Sequence, residues 1–153
     1  MRKGRNGEGN RMRLILPALS VNEGVARAAV AVFCSQCNPT ATELADIKCA
    51  VSEAVTNCIV HAYREQRGNI YISARLIGTR EIRIAVRDRG CGIPDVRRAR
   101  EPLFTTDAAG ERSGMGFTVM ENFMDRLTVR SKEGVGTLVV LTKRIGCEKT
   151  AEA

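Results

Sequence analysis

Three short motifs in this chain could together do chemistry, and the first lies on a predicted helix. In residues 52–63 (SEAVTNCIVHAY), Glu53, Asn57 and the chain's one histidine, His61, recur every four residues. Each step of four advances about 6 Å along a helix axis and about 40° around it, so the three side chains form one line. Apolar residues flank this line, which favours a partly buried surface such as the wall of a ligand pocket. A solvated helix face explains the same pattern when the segment is taken alone.

The second motif is DRGCG at residues 88–92, which follows a predicted strand. A reverse turn accounts for this composition by itself, because Asp and Gly are common turn formers. The functional interpretation is that Asp88 projects a carboxylate from the strand end into a pocket. Gly90 and Gly92 would then let the backbone approach a flat ring.

The third motif is SGMGF at residues 113–117, directly before another helical pattern. Two glycines there can expose backbone N–H groups to phosphate oxygens, although a flexible loop entry has the same composition. In chain order the three motifs could supply a metal ligand, a base-recognition group and a phosphate loop. Because the sequence contains no GxxxxGK[ST], this would be a nucleotide site without a Walker loop.

The predicted elements must bring these motifs together. Their order is β, α, α, β, β, loop, α, β, β, so helices do not alternate regularly with strands. This order predicts an α+β fold, a two-layer sandwich with a mainly antiparallel sheet and helices on one face. The predicted strands are 13–18, 68–77, 81–86, 127–130 and 137–141, and the predicted helices are 23–37, 40–63 and 117–124, with a further helical turn near 95–100.

Length and charge limit the domain organisation and the partners. A chain of 153 residues suits one compact domain. We expect a flexible basic extension at 1–12, the folded domain at 13–145 and a flexible tail at 146–153. Residues 1–13 hold five basic side chains and one acidic one, so they carry +4 of the net +7. With most of the excess charge in a tail and few aromatic residues for stacking, we expect no direct nucleic-acid contact.

Apolar runs and cysteines bear on location and metal binding. No run approaches the roughly 18 apolar residues of a membrane helix, and the basic N-terminus lacks a signal-peptide core, so we expect a cytoplasmic protein without a membrane partner. The six cysteines are therefore expected to be free thiols. CSQC at 34–37 has metal-ligand spacing but no second pair to complete a zinc site.

At the three motifs the sequence resembles the ATPase and kinase superfamily that includes DNA gyrase, a heat-shock chaperone, histidine kinases and MutL. Within that superfamily it is most similar to the anti-sigma F factors of endospore-forming bacteria, which are serine-protein kinases. The stretches VSEAVTNCIVHAY, EPLFTT, ERSGMGFTVMENFMD and GTLVVLTK carry the resemblance, which runs from about residue 13 to 143. It implies a histidine-kinase-like ATPase fold that uses ATP or ADP with Mg²⁺.

The resemblance also implies a role for individual residues. Asn57 would bind Mg²⁺, Glu53 would be the general base toward a partner's serine, and Asp88 would bind the adenine amino group beside Gly90 and Gly92. A lid from about residue 105 to 116 would cover the triphosphate, with Arg112 near the γ-phosphate. Further nucleotide-binding residues would be Thr105, Thr106, Ser113, Gly114, Met115, Gly116 and Thr137. Ala62 departs from the glycine expected in the H-G-Y ending of the helix motif.

The implied biology is a homodimer with two protein partners. It would sequester a sporulation sigma factor and phosphorylate a serine of an anti-anti-sigma protein, with Arg27 contacting the partners. His61 would be a structural hydrogen-bonding residue. Three alternatives remain open: a non-catalytic nucleotide-dependent adaptor, a histidine kinase-type ATPase domain, and a basic nucleic-acid-binding protein.

Overall fold

The computed structural model describes residues 9–64, 66–102 and 115–146. Its centre is a five-stranded sheet in the order β1-β2-β3-β5-β4, in which every neighbouring pair is antiparallel. The strands are β1 (Arg11–Pro17), β2 (Asn69–Ile77), β3 (Glu81–Asp88), β4 (Arg126–Lys132) and β5 (Gly136–Arg144). β1 and β4 are therefore the two edges of the sheet.

The helices cover one face of this sheet. They are α1 (Val21–Cys34), α2 (Ala41–Asn57), the single turn α3 (Val96–Ala99) and α4 (Gly116–Phe123). A 3₁₀ turn, Ser35–Cys37, extends α1, and a π-helical turn, Cys58–Ala62, extends α2. α2 begins at a capping box, because the Thr40 side chain accepts from the Glu43 backbone and the Glu43 side chain accepts from the Thr40 backbone.

The core lies between the helices and the sheet. Alternate strand residues point toward the helices and are buried, as the period of two in a strand requires. The remaining face of the sheet is open and carries exposed or half-buried side chains. Fully buried side chains from both layers include Ile47, Val51, Val55, Ile70, Ile82, Ile84, Met120 and Leu141.

One buried cation joins three elements of this core. Lys143, on β5, is 6% exposed, and its Nζ donates to the Phe123 carbonyl oxygen at 2.6 Å and to Asp46 Oδ2 at 3.2 Å. The Phe123 carbonyl belongs to the last turn of α4, where cations are favourable partners for unsatisfied carbonyl groups. Lys143 therefore fixes the C-terminal end of α4 against α2 and β5.

The predicted α+β sandwich with helices on one face of an antiparallel sheet is confirmed. Element ends differ from the sequence-based bounds. β1 begins at Arg11 rather than at residue 13, because alternating arginines that point to the open face do not interrupt the strand. β4 and β5 are longer than predicted. In β4 the exposed Arg126, Arg130 and Lys132 conceal the period of two, and the added end of β5 contains a buried lysine, Lys143, which the apolar pattern does not include. Within the described residues, no helix has the length and apolarity needed to span a membrane.

Candidate functional site

A cavity of about 600 Å³ opens between the helices and the C-terminal end of β3. α2 forms one wall, and the loop that follows Asp88 forms the opposite wall together with α3. The first residues of α4 and the start of β5 close the remaining sides. Its lining includes Glu53, Asn57, Cys58, His61, Asp88, Gly92, Met115, Gly116 and Thr137.

Asp88 is the last residue of β3 and is only 6% exposed. Its Oδ1 accepts from the Gly90 N–H at 2.9 Å and from the Thr137 N–H at 3.2 Å. Its Oδ2 lies 3.6 Å from the Cys58 Sγ. Two backbone donors thus fix one oxygen, and the other faces a single weak donor.

Burial is the main cause of the pKa shifts of Asp88 and Cys58. Desolvation raises the pKa of Asp88, and the hydrogen bonds from Gly90, Thr137 and Cys58 offset part of that rise. Burial and the neighbouring Asp88 charge together raise the pKa of the Cys58 thiol well above its ordinary value. Cys58 is therefore a neutral thiol that donates to the carboxylate.

Close backbone packing explains the glycines that follow Asp88. A side chain at Gly90 would collide with Ala62 at the end of the π-helical turn, and one at Gly92 would collide with the backbone of Lys132. Gly92 also has a φ of +74°, which favours glycine. The loop is held further by Cys91, whose N–H donates to the Ala62 carbonyl at 2.9 Å and whose carbonyl accepts from the Gly134 N–H at 2.8 Å.

Glu53 and Asn57 meet the start of α4 at the other end of the cavity. A Cβ placed on Gly116 would lie 3.2 Å from Glu53 Oε2 and 3.4 Å from Asn57 Oδ1. Gly116 therefore lets the first turn of α4 approach both polar side chains. Within the described residues, no cluster of three His, Cys, Asp or Glu side chains could hold a metal ion, so a cation here would depend on Asn57 and on ligands from a substrate.

The structure brings most of the predicted site residues to this cavity. Glu53, Asn57, Asp88, Gly92, Met115, Gly116 and Thr137 line it, and Gly90 donates to Asp88 from just behind the wall. His61 also lines the cavity. The predicted residues Thr105, Thr106, Arg112, Ser113 and Gly114 lie outside the described residues.

Three supporting contacts were not found from the sequence. The Tyr63 hydroxyl donates to the Asn69 carbonyl at 2.5 Å and accepts from the Arg89 N–H at 2.8 Å, which links the end of α2 to the loop after Asp88. Ser131 Oγ lies 2.8 Å from Thr137 Oγ1 and accepts from the Ile93 N–H at 2.7 Å. Cys58 contacts Asp88, as described above. Cys58–Asp88, Tyr63–Arg89 and Ser131–Ile93 join residues 26 to 38 positions apart, and the two contacts at a separation of six join different elements. In the sequence, the hydroxyl or thiol group was the one signal for each contact.

Arg27 lies on α1, away from this cavity. Its Nη1 donates to Glu23 Oε1 at 3.2 Å, and the same oxygen accepts from the Ser52 hydroxyl of α2. Glu23 and Ser52 line a second, polar cavity of about 250 Å³, together with Ser20, Thr56, Ile59 and Val60. Thr56 lines both cavities, so α2 forms the wall between them.

Comparison with known proteins places this geometry in a family. A family model described as a histidine kinase-like ATPase domain matches residues 16–143. An anti-sigma F factor of Thermoanaerobacter sp. is 54% identical over 140 residues, which cover 92% of this chain and 97% of that protein. The anti-sigma F factor of Bacillus licheniformis is 50% identical over 141 residues, or 92% and 96% of the two chains.

Solved structures agree with this fold. The RsbU and RsbW domains of a Mycobacterium tuberculosis protein align with a TM-score of 0.65 at 22% identity, over 89% of this chain and 32% of that one. The catalytic domain of histidine kinase ThkA aligns with a TM-score of 0.55 at 18% identity, over 89% and 96%. These two structures share the fold, and the family follows from the sequence matches: with 54% identity over 92% of its length and a family-model match over residues 16–143, the chain belongs to the anti-sigma F factor family, built on a histidine kinase-like ATPase domain.

Proposed function

We propose that this chain is an ATP-dependent serine kinase that sequesters a sporulation sigma factor and phosphorylates a serine of its anti-anti-sigma antagonist. The observation that supports this most directly is the shared cavity, in which Asp88 lies at one end and Glu53 and Asn57 lie at the other. An adenine nucleotide in that cavity would have its base at Asp88 and its phosphates at Asn57 and Gly116.

The base end has an acceptor for the exocyclic amino group of adenine. Asp88 Oδ1 is already occupied by two backbone N–H groups, so Oδ2 is the oxygen that can accept from an exocyclic amino group. Gly92 leaves the cavity wall without a side chain at that position. An amino group is thereby distinguished from a carbonyl oxygen, because a carboxylate cannot donate.

The phosphate end fits a magnesium nucleotide. The Asn57 side-chain oxygen is a hard ligand, and Mg²⁺ commonly takes one or two protein oxygens together with substrate phosphates and water. When bound, the ion would neutralise charge on the transferred phosphoryl group. Gly116, the first residue of α4, lies beside Asn57, and a helix N-terminus favours anionic oxygens.

Glu53 would act as the base that accepts the proton of the partner's serine hydroxyl. It lies one helical turn before Asn57 and lines the same cavity. Phosphoryl transfer depends mainly on positioning and charge neutralisation, so one carboxylate beside the phosphates is sufficient for proton removal. Arg112 is proposed to stabilise the γ-phosphate from the lid.

The partner surface is proposed to lie on α1. Val21, Val25 and Val32 of this helix are 78%, 49% and 72% exposed, a large apolar surface for a helix that also carries Arg27. The three valines share one side of α1 and Arg27 projects from another side, and both exposed apolar side chains and arginines are typical of protein interfaces. We propose that this surface contributes to the homodimer and to binding of the sigma factor and the anti-anti-sigma protein.

Labelled phosphate distinguishes the candidate activities. The protein is incubated with γ-labelled ATP, Mg²⁺ and the anti-anti-sigma protein, and the labelled residue is identified. Label on a partner serine is expected. Label on this chain's own histidine would instead support a histidine kinase-type ATPase, and no label with retained sigma-factor binding would support an adaptor.

The base is tested by Glu53→Gln, which keeps the side-chain shape and removes the proton acceptor. Transfer to the partner should slow by roughly 10²- to 10⁴-fold, while ADP affinity changes little. Glu121→Gln is the matched control, because Glu121 lies on the exposed side of α4 and pairs with Arg100. Transfer at the parental rate by the Glu53 variant would remove this residue from the mechanism.

A further inference from the structure

The open face of the sheet carries rows of arginines that run across the strands. Directly opposite residues in antiparallel strands share a face, and the register places Arg11 opposite Arg75 and Arg75 opposite Arg83. The same row continues through Thr142 of β5 to Arg126 of β4. Four arginines therefore share one row across the five strands.

Neighbouring rows extend the same charge. Arg87 and Arg130 share a row on either side of Leu138, and Arg89 lies over the ring of Tyr71 at 4.8 Å from its centroid. Within the described residues, Glu81 is the one carboxylate on this face. The cations of the open face are Arg11, Arg13, Arg75, Arg83, Arg87, Arg89, Arg126, Arg130, Lys132 and Arg144.

The open face holds more net positive charge than the whole chain. Ten cations and one carboxylate give the open face +9, whereas the chain as a whole has +7. All other residues together are therefore net negative, by two charges. Among the described residues, those outside this face carry nine cations and ten carboxylates, so the strong positive charge is confined to the open face of the sheet.

Side-by-side arginines are unfavourable in the isolated protein. Like charges directly opposite on neighbouring strands destabilise a sheet. Glu81 offsets part of this repulsion, since it lies 3.1 Å from Arg83 and 3.8 Å from Arg144. In the part of the chain that the structure describes, Glu81 forms ion pairs with Arg83 and Arg144 and not with the other arginines of this row, so a polyanion laid across the face would relieve repulsion along the row.

We propose that the open face binds the phosphate backbone of duplex nucleic acid without reading its base sequence. Five strands spaced about 4.8 Å apart span roughly 20 Å. A duplex of that length carries about 12 phosphates, at one charge per 1.7 Å counted over both strands. A flat face reaches only the phosphates on the nearer side, roughly half of them, and ten cations are enough to neutralise these. Nine of the ten are arginines, whose planar guanidinium groups bind phosphate through two parallel hydrogen bonds.

Duplex fits this face better than the other polyanions. Single strands bind mainly by stacking bases on aromatic rings, but Tyr71 is the one aromatic side chain of the described strands on this face and Arg89 already covers it. An acidic protein would place carboxylates opposite individual cations, whereas the row that contains Arg11 and Arg126 runs to both edges of the sheet, as an extended polyanion requires.

This inference differs from the expectation drawn from the sequence. That expectation treated the charge outside the tail as an unremarkable +3. Outside residues 1–13 the open face holds eight cations and one carboxylate, or +7, and all other residues together carry −4, which gives the +3. Only the strand register reveals this division.

The test measures binding of a 25-base-pair duplex of arbitrary sequence as a function of salt, by fluorescence anisotropy. If about five phosphates are contacted, the slope of log K against log salt should be near −4.5, which is a several-hundred-fold loss between 50 and 200 mM salt. Arg75→Gln/Arg87→Gln should make the slope shallower by about two and weaken binding at 50 mM salt by roughly 10- to 100-fold.

The control removes the same charge from the helical side, as Lys48→Gln/Arg97→Gln, and should leave duplex affinity within about twofold. Circular dichroism checks that both variants fold. No duplex binding at 50 mM salt, or equal losses in the two double variants, would overturn the proposal. The proposal would also be overturned if the protein bound poly-L-glutamate and not the duplex, and if the Arg75→Gln/Arg87→Gln variant weakened that binding. That result would favour an acidic protein partner. Because the duplex assay requires no nucleotide, it is independent of the proposed kinase activity.

Discussion

Replacing Asp88 with Asn tests the proposed base site at a single atom. The Asp88 Oδ1 accepts from the backbone N–H groups of Gly90 and Thr137, at 2.9 and 3.2 Å. An asparagine that keeps these two bonds must place its NH₂ group where Oδ2 was. That NH₂ would face the exocyclic amino group of adenine, donor against donor. The flipped amide instead leaves both backbone N–H groups without their acceptor.

Either orientation loses a hydrogen bond to a charged group in a buried setting, which is worth about 1.5–3 kcal/mol. At 1.4 kcal/mol for each factor of ten, ADP should bind roughly 10- to 150-fold more weakly. The free energy of unfolding should change much less, because the substitution also removes a desolvated carboxylate. GDP should gain relative to ADP, since the new NH₂ can donate to the guanine carbonyl oxygen.

Titration calorimetry with ADP and GDP measures both affinities, and chemical denaturation measures stability. Asp95→Asn is the matched control: Asp95 lines the same cavity, and its role is to cap α3 through the Arg98 N–H, which asparagine does equally well. ADP binding by Asp88→Asn within twofold of the parent, or an equal loss in Asp95→Asn, would refute the assignment of the purine end.

Three further outcomes are expected. ADP affinity should fall as the pH drops through the raised pKa of Asp88, because the protonated carboxyl no longer accepts from the adenine amino group. The contribution of Asp88 to stability should instead rise as the pH falls from that pKa toward the ordinary 3.8, because in this range the folded state binds more protons than the unfolded state. Calorimetry and denaturation over pH 4–7 would show the two trends. Lys143→Met should lower the free energy of unfolding by about 2–3 kcal/mol, since it leaves Asp46 and a helix-terminal carbonyl without their buried cation, and an unchanged denaturation midpoint would contradict that role. Arg27→Glu should weaken binding of both protein partners in a pull-down and leave ADP affinity intact, and unaltered partner binding would remove Arg27 from the interface.

Local spacing predicted the parts of the cavity that lie within one element. Glu53, Asn57 and His61 line it together because a four-residue repeat keeps side chains on one side of a helix, and the π-helical turn begins only at Cys58. Asp88 could also be located, since a strand followed by D-x-G-x-G places a carboxylate at the strand end.

Contacts between distant elements could not be predicted in this way. The thiol of Cys58 meets Asp88 across 30 positions, and Tyr63 spans from α2 to both Asn69 and Arg89. Such contacts depend on how α2 lies on the sheet, which no local pattern records. The basic face is a further example, because shifting one strand by a single residue would send its arginines to the other side.

Thr56 lines both cavities, so α2 is a wall that the two cavities share. Glu53 and Asn57 face the larger cavity, and Ser52 binds Glu23 beside the smaller one, only a single helix away. A molecule seated against α1 that displaces this helix would change the free energy of nucleotide binding, and thermodynamic reciprocity then requires nucleotide to change the affinity for that molecule by the same factor. Nucleotide binding in the larger cavity and binding of a partner at α1 would thus be coupled through α2, the helix that separates the two sites.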